Sequence, residues 1–337
     1  MTIQPIPVLR RISPGVALCL VVALGAIALA RAEAAWTGGV WLEPLVLAIL
    51  LGTLIRTMWE PGALWKPGSS FCGKMLLEIA IVLLGASVSA QAVAASGIGL
   101  LLGIATAVDL AIFGGVLIGR AFGLPRRMGI LVACGNAICG NSAIAAVAPV
   151  IGADAREVAS AIAFTAVLGV VVVLSLPVIA LWLHLSTMQS GVFAGLVVYA
   201  VPQVLAATTP LGPAAVQIGT LVKLVRVLML GPVILVLSII SGKRDGKIGF
   251  FKLVPWFIIG FLVMMALRSF GALPTAILPP MAQVSTFFTI VSMAALGLAT
   301  DLRAVAAAGP RVTATVTLSL MFLGVISLGL IRLIGVG

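Results

Sequence analysis

A cluster of small and polar residues interrupts an apolar run near the middle of the chain. Segment 134–142 reads Cys-Gly-Asn-Ala-Ile-Cys-Gly-Asn-Ser. Each glycine weakens a helix by about 1 kcal/mol, and side chains of this polarity are costly to expose to lipid. We expect the helix to unwind here and a new helix to begin near Asn141, its positive end turned toward an anion. The alternative is close helix packing through small residues with polar contacts. The segment predicts a substrate site formed by Gly135, Asn136, Gly140, Asn141 and Ser142.

Two cations lie within a later apolar run. Lys223 and Arg226 are three residues apart in run 213–240, so they share one helix face. An intramembrane cation is a functional hypothesis by default, and the alternative is a pair whose long side chains reach the membrane interface. No acidic residue is near them in sequence. We therefore predict that both face the protein interior and bind an anionic substrate.

Other polar residues in apolar runs complete the candidate site. Glu78 and Asp109 could pair with the two cations or relay protons, and a structural ion pair or an interfacial position is the alternative for each. Gln203 follows Pro202, a residue that kinks helices, and could line a cavity. Segment 292–301 predicts a second helix interruption, with Gly297 and Thr300 in the site.

Residues for enzymatic chemistry are sparse. His184 is the only histidine, and its place beside Trp182 at the end of an apolar run is typical of the membrane interface. The sequence contains no pair of histidines for zinc and no phosphate-binding loop for ATP. We expect no cofactor, no metal and no catalytic activity.

Composition identifies the solvent of these elements as lipid. The chain is 62% hydrophobic and 9% charged, with a mean hydropathy of +1.30, whereas soluble domains are about a quarter charged. Long continuous apolar runs indicate helices, because barrel strands would alternate in short segments. The net charge of +11 is scattered between the runs, which is typical of topology signals and not of nucleic-acid binding. The sequence predicts an all-α membrane protein.

Runs of about 20 residues, enough to cross a bilayer, predict eleven transmembrane helices. They lie at about 14–31, 40–58, 72–90, 97–119, 128–150, 157–183, 188–207, 213–240, 250–268, 280–300 and 312–334. With the N-terminus in the cytoplasm, fourteen of the twenty basic residues fall on the inside and four outside, while Lys223 and Arg226 fall within a span. This asymmetry predicts a cytoplasmic-membrane protein with its N-terminus inside and its C-terminus outside.

The spans divide into an extra helix and two halves. Residues 1–31 form the extra helix, which we expect to be retained although Arg10, Arg11 and the apolar run resemble a secretion signal. The ranges 40–183 and 188–334 then hold five spans each, and an odd number per half makes the second half insert inverted. The interruptions at 134–142 and 292–301 both fall in the fourth helix of a half. The pattern predicts two crossed discontinuous helices.

Several stretches resemble a known family. They are Ile138-Cys139-Gly140 running to Pro149-Val150, Gln203-Val204 with Ala206-Ala207, Lys223 with Arg226-Val227 and Pro232, and 293–298. In this order they resemble the bacterial inner-membrane proteins of the YeiH type, which are named as sulfate exporters. The resemblance implies a fold similar to bile-acid sodium symporters and sodium/proton antiporters, with core and panel subdomains, and export of sulfate or a related small anion.

This chain departs from that family at ionisable positions. Tyr199 and Ala200 stand where the family usually carries His-Glu, and Ala148 stands where it often has a glutamate. These acids and the histidine would be natural coupling groups, so their absence weakens the case for proton coupling.

These observations predict a secondary transporter that moves a small anion by alternating access. An ion-coupled antiporter or symporter of another small solute is the alternative, and an intramembrane enzyme is a weaker one. The expected partners are the anionic substrate, the lipid bilayer and Na+ or H+ as a coupling ion, with no nucleic acid. A homodimer is left open.

The topology is tested with a fusion at the C-terminus. A reporter that is active only in the cytoplasm should give no signal when fused after Gly337, because eleven crossings place this end outside. The same reporter fused within the basic segment 243–247 is the positive control. A clear signal at Gly337 would mean an even number of spans and would remove the basis for the inverted repeat.

Overall fold

The computed structural model describes residues 8–37, 43–87, 97–241, 256–301, 303 and 309–335. All regular elements within these ranges are helices, which confirms the predicted all-α class. The α-helices are α1 (Val8–Thr37), α2 (Pro44–Met58), α3 (Lys66–Phe71), α4 (Leu77–Leu84), α5 (Gly97–Ala121), α6 (Arg126–Cys134), α7 (Asn141–Ile151), α8 (Ala155–Trp182), α9 (Thr187–Val197), α10 (Val201–Thr208), α11 (Pro213–Leu228), α12 (Leu230–Ile240), α13 (Trp256–Ser269), α14 (Leu278–Ala299) and α15 (Pro310–Ile334).

Several of these helices suit a bilayer. Seven helical stretches in the described residues are long and apolar enough to cross it, so the chain is a multi-pass membrane protein. They are Arg11–Trp36, Lys66–Ser87, Gly99–Ala121, Arg156–Trp182, Pro213–Ile240, Leu278–Leu298 and Pro310–Ile334. Shorter apolar helices occur at Pro44–Met58, Asn141–Ile151 and Trp256–Ser269. The count of eleven spans, the division at 31, 40–183 and 188–334, and the inverted repeat stay predictions.

Two interruptions lie in the middle of the chain. The first follows a π-helical turn, Gly135–Cys139, and falls at Gly140, whose φ of +66° favours glycine. The second is the extended stretch at 198–200 between α9 and α10. Pro202 lies in the first turn of α10, where its missing N–H breaks no helical hydrogen bond. The predicted unwinding near 134–142 is therefore confirmed.

The predicted interruption at 292–301 is wrong, because α14 runs unbroken from Leu278 to Ala299. Its small residues serve close packing instead. Gly297 lies against Gly52 of α2, so that a Cβ atom on Gly52 would stand 2.6 Å from the Ala294 carbonyl oxygen. The discontinuous helix α6–α7 accordingly meets the break between α9 and α10, and not a break in 280–300.

The buried apolar side chains form two main clusters. The larger one surrounds both interruptions and draws on α5 to α12 and α15. The other draws mainly on α1, α2 and α14. The interruptions are thus packed inside protein, which is where non-helical backbone at membrane depth is tolerated.

The close contact at Gly297 predicts that a glycine-to-alanine substitution there lowers stability more than the same substitution at an open position. In Gly297→Ala the new Cβ would meet the Ile49 carbonyl oxygen and, at 2.9 Å, the Thr53 nitrogen. Because backbone must move, we expect the free energy of unfolding in detergent to fall by about 1–3 kcal/mol. Gly25→Ala in α1 is the matched control, since nothing lies within 4 Å of its Cβ position, and it should be neutral or slightly stabilising. Equal stability of the two variants would contradict the packing.

Candidate functional site

The candidate site begins with the carbonyl ends of two half-helices. The π-helical turn ends with the carbonyls of Asn136, Ala137 and Ile138, and α9 ends with those of Gly195 and Val198. At a helix C-terminus the last carbonyls lack partners from a following turn. In the interior of a membrane protein each such group needs a donor.

Lys223 and Arg226 of α11 supply these donors. Lys223 Nζ donates to the carbonyls of Ile138 at 2.5 Å and Val198 at 2.9 Å. Arg226 donates through Nε to Ala137 at 3.0 Å, through Nη2 to Asn136 at 2.9 Å, and through Nη1 to Gly195 at 2.8 Å and Val198 at 3.2 Å. The side chains are both fully buried, at 0% exposure. The prediction that both cations face the interior is confirmed.

The partners of these cations differ from those that the sequence suggested. No carboxylate among the described residues pairs with Lys223 or Arg226. Glu78 is half-buried and accepts a hydrogen bond of 2.7 Å from Trp256 Nε1. Asp109 lies exposed on α5. The suggestion that either acid pairs with these cations is wrong, because backbone carbonyls fill the acceptor positions.

A side-chain network joins the two interruptions to α15. The Asn136 amide donates to Ser319 Oγ at 2.6 Å and to the Val316 carbonyl at 3.0 Å. Tyr199 Oη donates to Asn136 Oδ1 at 2.9 Å. Asn136 is therefore fully occupied within the protein. The sequence predicted Asn136 as part of a substrate site, whereas here its side chain is bound by other parts of the chain and fixes the two breaks in position.

A cavity of about 1090 Å³ lies beside both interruptions. Its lining includes Cys139, Asn141, Ser142, Tyr199, Ala200, Val201 and Lys223. Arg56, Lys66 and Lys74 add positive charge to the lining, and most other lining residues are apolar. The cavity thus connects a basic group of side chains with the two helix breaks.

Two helix N-termini reach this cavity. α7 begins at Asn141 after Gly140, and no side chain caps its first turn. α10 begins at Val201, where the Ala200 N–H donates to Gln203 Oε1 at 3.1 Å. Asn141 Oδ1 accepts a hydrogen bond of 2.6 Å from the Thr165 hydroxyl. Backbone N–H groups at the start of α7 are consequently available to a ligand in the cavity.

The remaining predicted site residues occupy supporting positions outside the lining. Gly135 packs on Ile144 and Gly140 packs on the Tyr199 side chain. Gln203 is buried against Gly169 and caps α10. Thr300 is buried with its hydroxyl donating to the Leu296 carbonyl at 2.8 Å. Of the predicted site residues, Asn141, Ser142, Lys223 and Glu78 line the cavity.

Tyr199 was missed as a site residue. In the sequence it stands out only as a departure from a family pattern, although it is the single tyrosine in the chain and lies directly at the second interruption. A single tyrosine close to Pro202 in an apolar run could have identified Tyr199 as part of a buried polar site, because a buried tyrosine hydroxyl usually has a hydrogen-bond partner.

Comparison with known proteins assigns the family. The family model described as Conserved hypothetical protein 698 matches residues 14–316. A UPF0324 membrane protein of Brucella melitensis is 58% identical over 330 residues, which cover 97% of this chain and 92% of the relative. A UPF0324 membrane protein of Bradyrhizobium diazoefficiens is 52% identical over 337 residues, covering 98% and 96%. This chain belongs to the UPF0324 family. That family is the YeiH-like family, so the predicted resemblance is confirmed.

The family extends to more distant bacteria. A UPF0324 membrane protein of Listeria monocytogenes is 32% identical over 294 residues, covering 87% of this chain and 88% of the relative. The names of these UPF0324 relatives state that they are membrane proteins and give no substrate.

The hydrogen bonds of Arg226 predict a large effect on stability. Arg226→Gln removes the positive charge and most of the four bonds to carbonyls. Because a hydrogen bond to a charged group contributes about 1.5–3 kcal/mol, we expect the variant to lose at least about 3 kcal/mol of unfolding free energy. Arg311→Gln, an exposed arginine at the start of α15, is the matched control. Both variants are compared by denaturant unfolding in the same detergent. Similar unfolding midpoints would contradict the conclusion that Arg226 stabilises the carbonyl ends of the two helices.

Proposed function

We propose that this UPF0324 protein is a secondary transporter that binds a small anion in the cavity between the N-termini of α7 and α10. One observation carries the proposal. The carbonyl ends of both broken helices are covered by Lys223 and Arg226, whereas the amide ends border the cavity. The polar groups left for a ligand are therefore mainly donors.

The charge balance supports an anion. A helix terminus carries about half an elementary charge, negative at the C-terminus and positive at the N-terminus. The four termini at the two breaks nearly cancel, so the two buried cations leave the region with a charge of about +2. A bound anion of charge −1 or −2 would neutralise it.

The other basic residues of the lining favour the same ligand. Arg56, Lys66 and Lys74 border the cavity, and Glu78 is the one carboxylate among its described lining residues. Positive charge along a cleft concentrates anions there. A cation in this cavity would meet repulsion from these side chains and from Lys223, which argues against a cationic substrate at this site.

Within this proposal the substrate is sulfate or a related sulfur oxyanion or sulfonate, and the direction is export across the inner membrane, with Na+ or H+ available as the coupling ion. These finer assignments rest on the family resemblance. The anion site itself rests on the geometry of the two breaks.

Cys139 offers a built-in probe of the proposal. It is the one cysteine of the four that is not buried, and it lines the cavity beside Lys223. We expect an anionic methanethiosulfonate to modify Cys139 faster than its cationic counterpart. The reference is Trp182→Cys in a Cys139→Ser background, because Trp182 is 80% exposed at the end of α8. The rate with the anionic reagent divided by the rate with the cationic reagent should be higher at Cys139 than at Trp182→Cys. At Cys139 this ratio should fall when Lys223→Met is introduced.

The same reaction identifies the ligand. Sulfate, sulfite, thiosulfate and an alkyl sulfonate are each added during labelling. An anion present at ten times its Kd should slow the modification of Cys139 about tenfold and leave Trp182→Cys unaffected. The protecting anion is then tested for counterflow in proteoliposomes. A faster cationic reagent, or no protection by any of these anions, would refute the anion site. Protection without counterflow would refute transport alone.

A further inference from the structure

The exposed face of α5 carries a carboxylate at the middle of the helix. Asp109 is the central residue of the helix Gly97–Ala121, which is apolar enough to cross a bilayer. At 1.5 Å per residue it lies about 18 Å from either end of the helix. It is nevertheless exposed on the surface of the protein. Ionisable residues at this depth almost always face protein or a water-filled cavity.

No group in the described part of the chain satisfies this carboxylate. The described ion pairs are Arg56–Glu60 and Arg56–Asp301. Arg120 is exposed on the same helix, but it stands eleven residues further on, about 16 Å along the axis. Among the described residues, Asp109 is therefore an exposed acid without a partner, and a second chain could supply one.

The residues around Asp109 form a continuous exposed stripe. Leu102, Thr106, Asp109, Phe113 and Leu117 are all exposed and follow one another at intervals of three or four residues. Such intervals place side chains on one helix face. The other faces of α5 are occupied, since α6 and α15 pack against it. We call these five residues the α5 stripe.

We propose that the α5 stripe is the interface of a homodimer, in which a second copy packs its own α5 stripe around a twofold axis normal to the membrane. A twofold axis places Asp109 opposite Asp109 of the second copy at the same depth. Each Asp109 then faces a polar side chain of the second copy in place of lipid. Thr106, one turn away, adds a hydroxyl on the same face, and polar contacts of this kind hold transmembrane helices together.

A second copy fits the stripe better than lipid. Head groups lie at the edge of a hydrocarbon core about 30 Å thick, so they do not reach a side chain at its centre. Acyl chains offer no hydrogen-bond partner. A symmetric copy supplies an acid, a hydroxyl and matching apolar residues at the correct depth without any further component.

Cysteine cross-linking in membranes tests the interface. Phe113→Cys and Leu117→Cys, which leave Asp109 in place, are oxidised with copper phenanthroline and examined on non-reducing gels. We expect a dimer band for both, because positions near a twofold axis meet their own counterparts. Val178→Cys in α8, at 66% exposure, is the matched control and should give none. The native cysteines are buried or lie in the cavity, so the unmodified protein should also give none.

Mass measurement of the unmodified purified protein provides a second test that does not alter Asp109. Light scattering with correction for detergent should give twice the chain mass of 34.4 kDa. Two variants are then measured in the same way. Asp109→Leu should raise the dimer dissociation constant at least tenfold, whereas Asp109→Asn should retain most of the dimer. A monomeric unmodified protein, cross-linking through Val178→Cys but not Phe113→Cys, or pairing of α5 with a different protein would each overturn the proposal. None of these outcomes bears on the anion site.

Discussion

The architecture depends on the hydrogen bonds from two buried cations to the carbonyl ends of two broken helices. Unpaired backbone carbonyls are costly in a membrane interior, and so are unneutralised cations. Each is tolerable here because the other is present. Lys223 and Arg226 cross from α11 to both interruptions, so one helix face holds two separate backbone breaks in register. The breaks and the cations therefore have to be considered as one unit.

This arrangement leaves mainly hydrogen-bond donors beside the cavity. A break in a transmembrane helix creates one end rich in carbonyls and another rich in N–H groups, and by itself it does not distinguish anions from cations. The carbonyl ends accept hydrogen bonds from Lys223 and Arg226 of the same chain. What remains beside the cavity is the start of α7 near Asn141 and Ser142, together with Lys223. Selectivity would thus follow from which helix ends the protein satisfies internally.

The sequence predicts the elements of this unit better than their pairing. Segment 134–142 and the two cations stand out because polar residues are rare in apolar runs. The hydrogen bonds between this segment and the two cations cannot be recognised in the sequence, because the acceptors are backbone carbonyls and any residue type supplies a carbonyl. The α14 interruption was predicted wrongly because Gly, Ala, Ser and Thr occur both in breaks and in close packing. The hydroxyls of Ser292 in α14 and of Thr300, directly after it, donate to carbonyls four residues earlier. These hydroxyls are therefore satisfied without a break in the helix. Asn136 instead reaches across to α15.

The packing also indicates which parts could move relative to one another. The two interruptions, α11 and α15 belong to one buried cluster and are joined by Asn136, Tyr199 and Arg226. α2 and α14 belong mainly to the other, and their glycine contact leaves no room for sliding. The cavity has walls from both clusters, since Asn141 and Ala299 both line it. Under the proposed transport function, a rocking motion between the clusters would change access to the cavity and leave the bonds from Lys223 and Arg226 to their carbonyls intact. A motion within the first cluster would instead separate those cations from their carbonyls, and the cost of that separation makes rocking the favoured route.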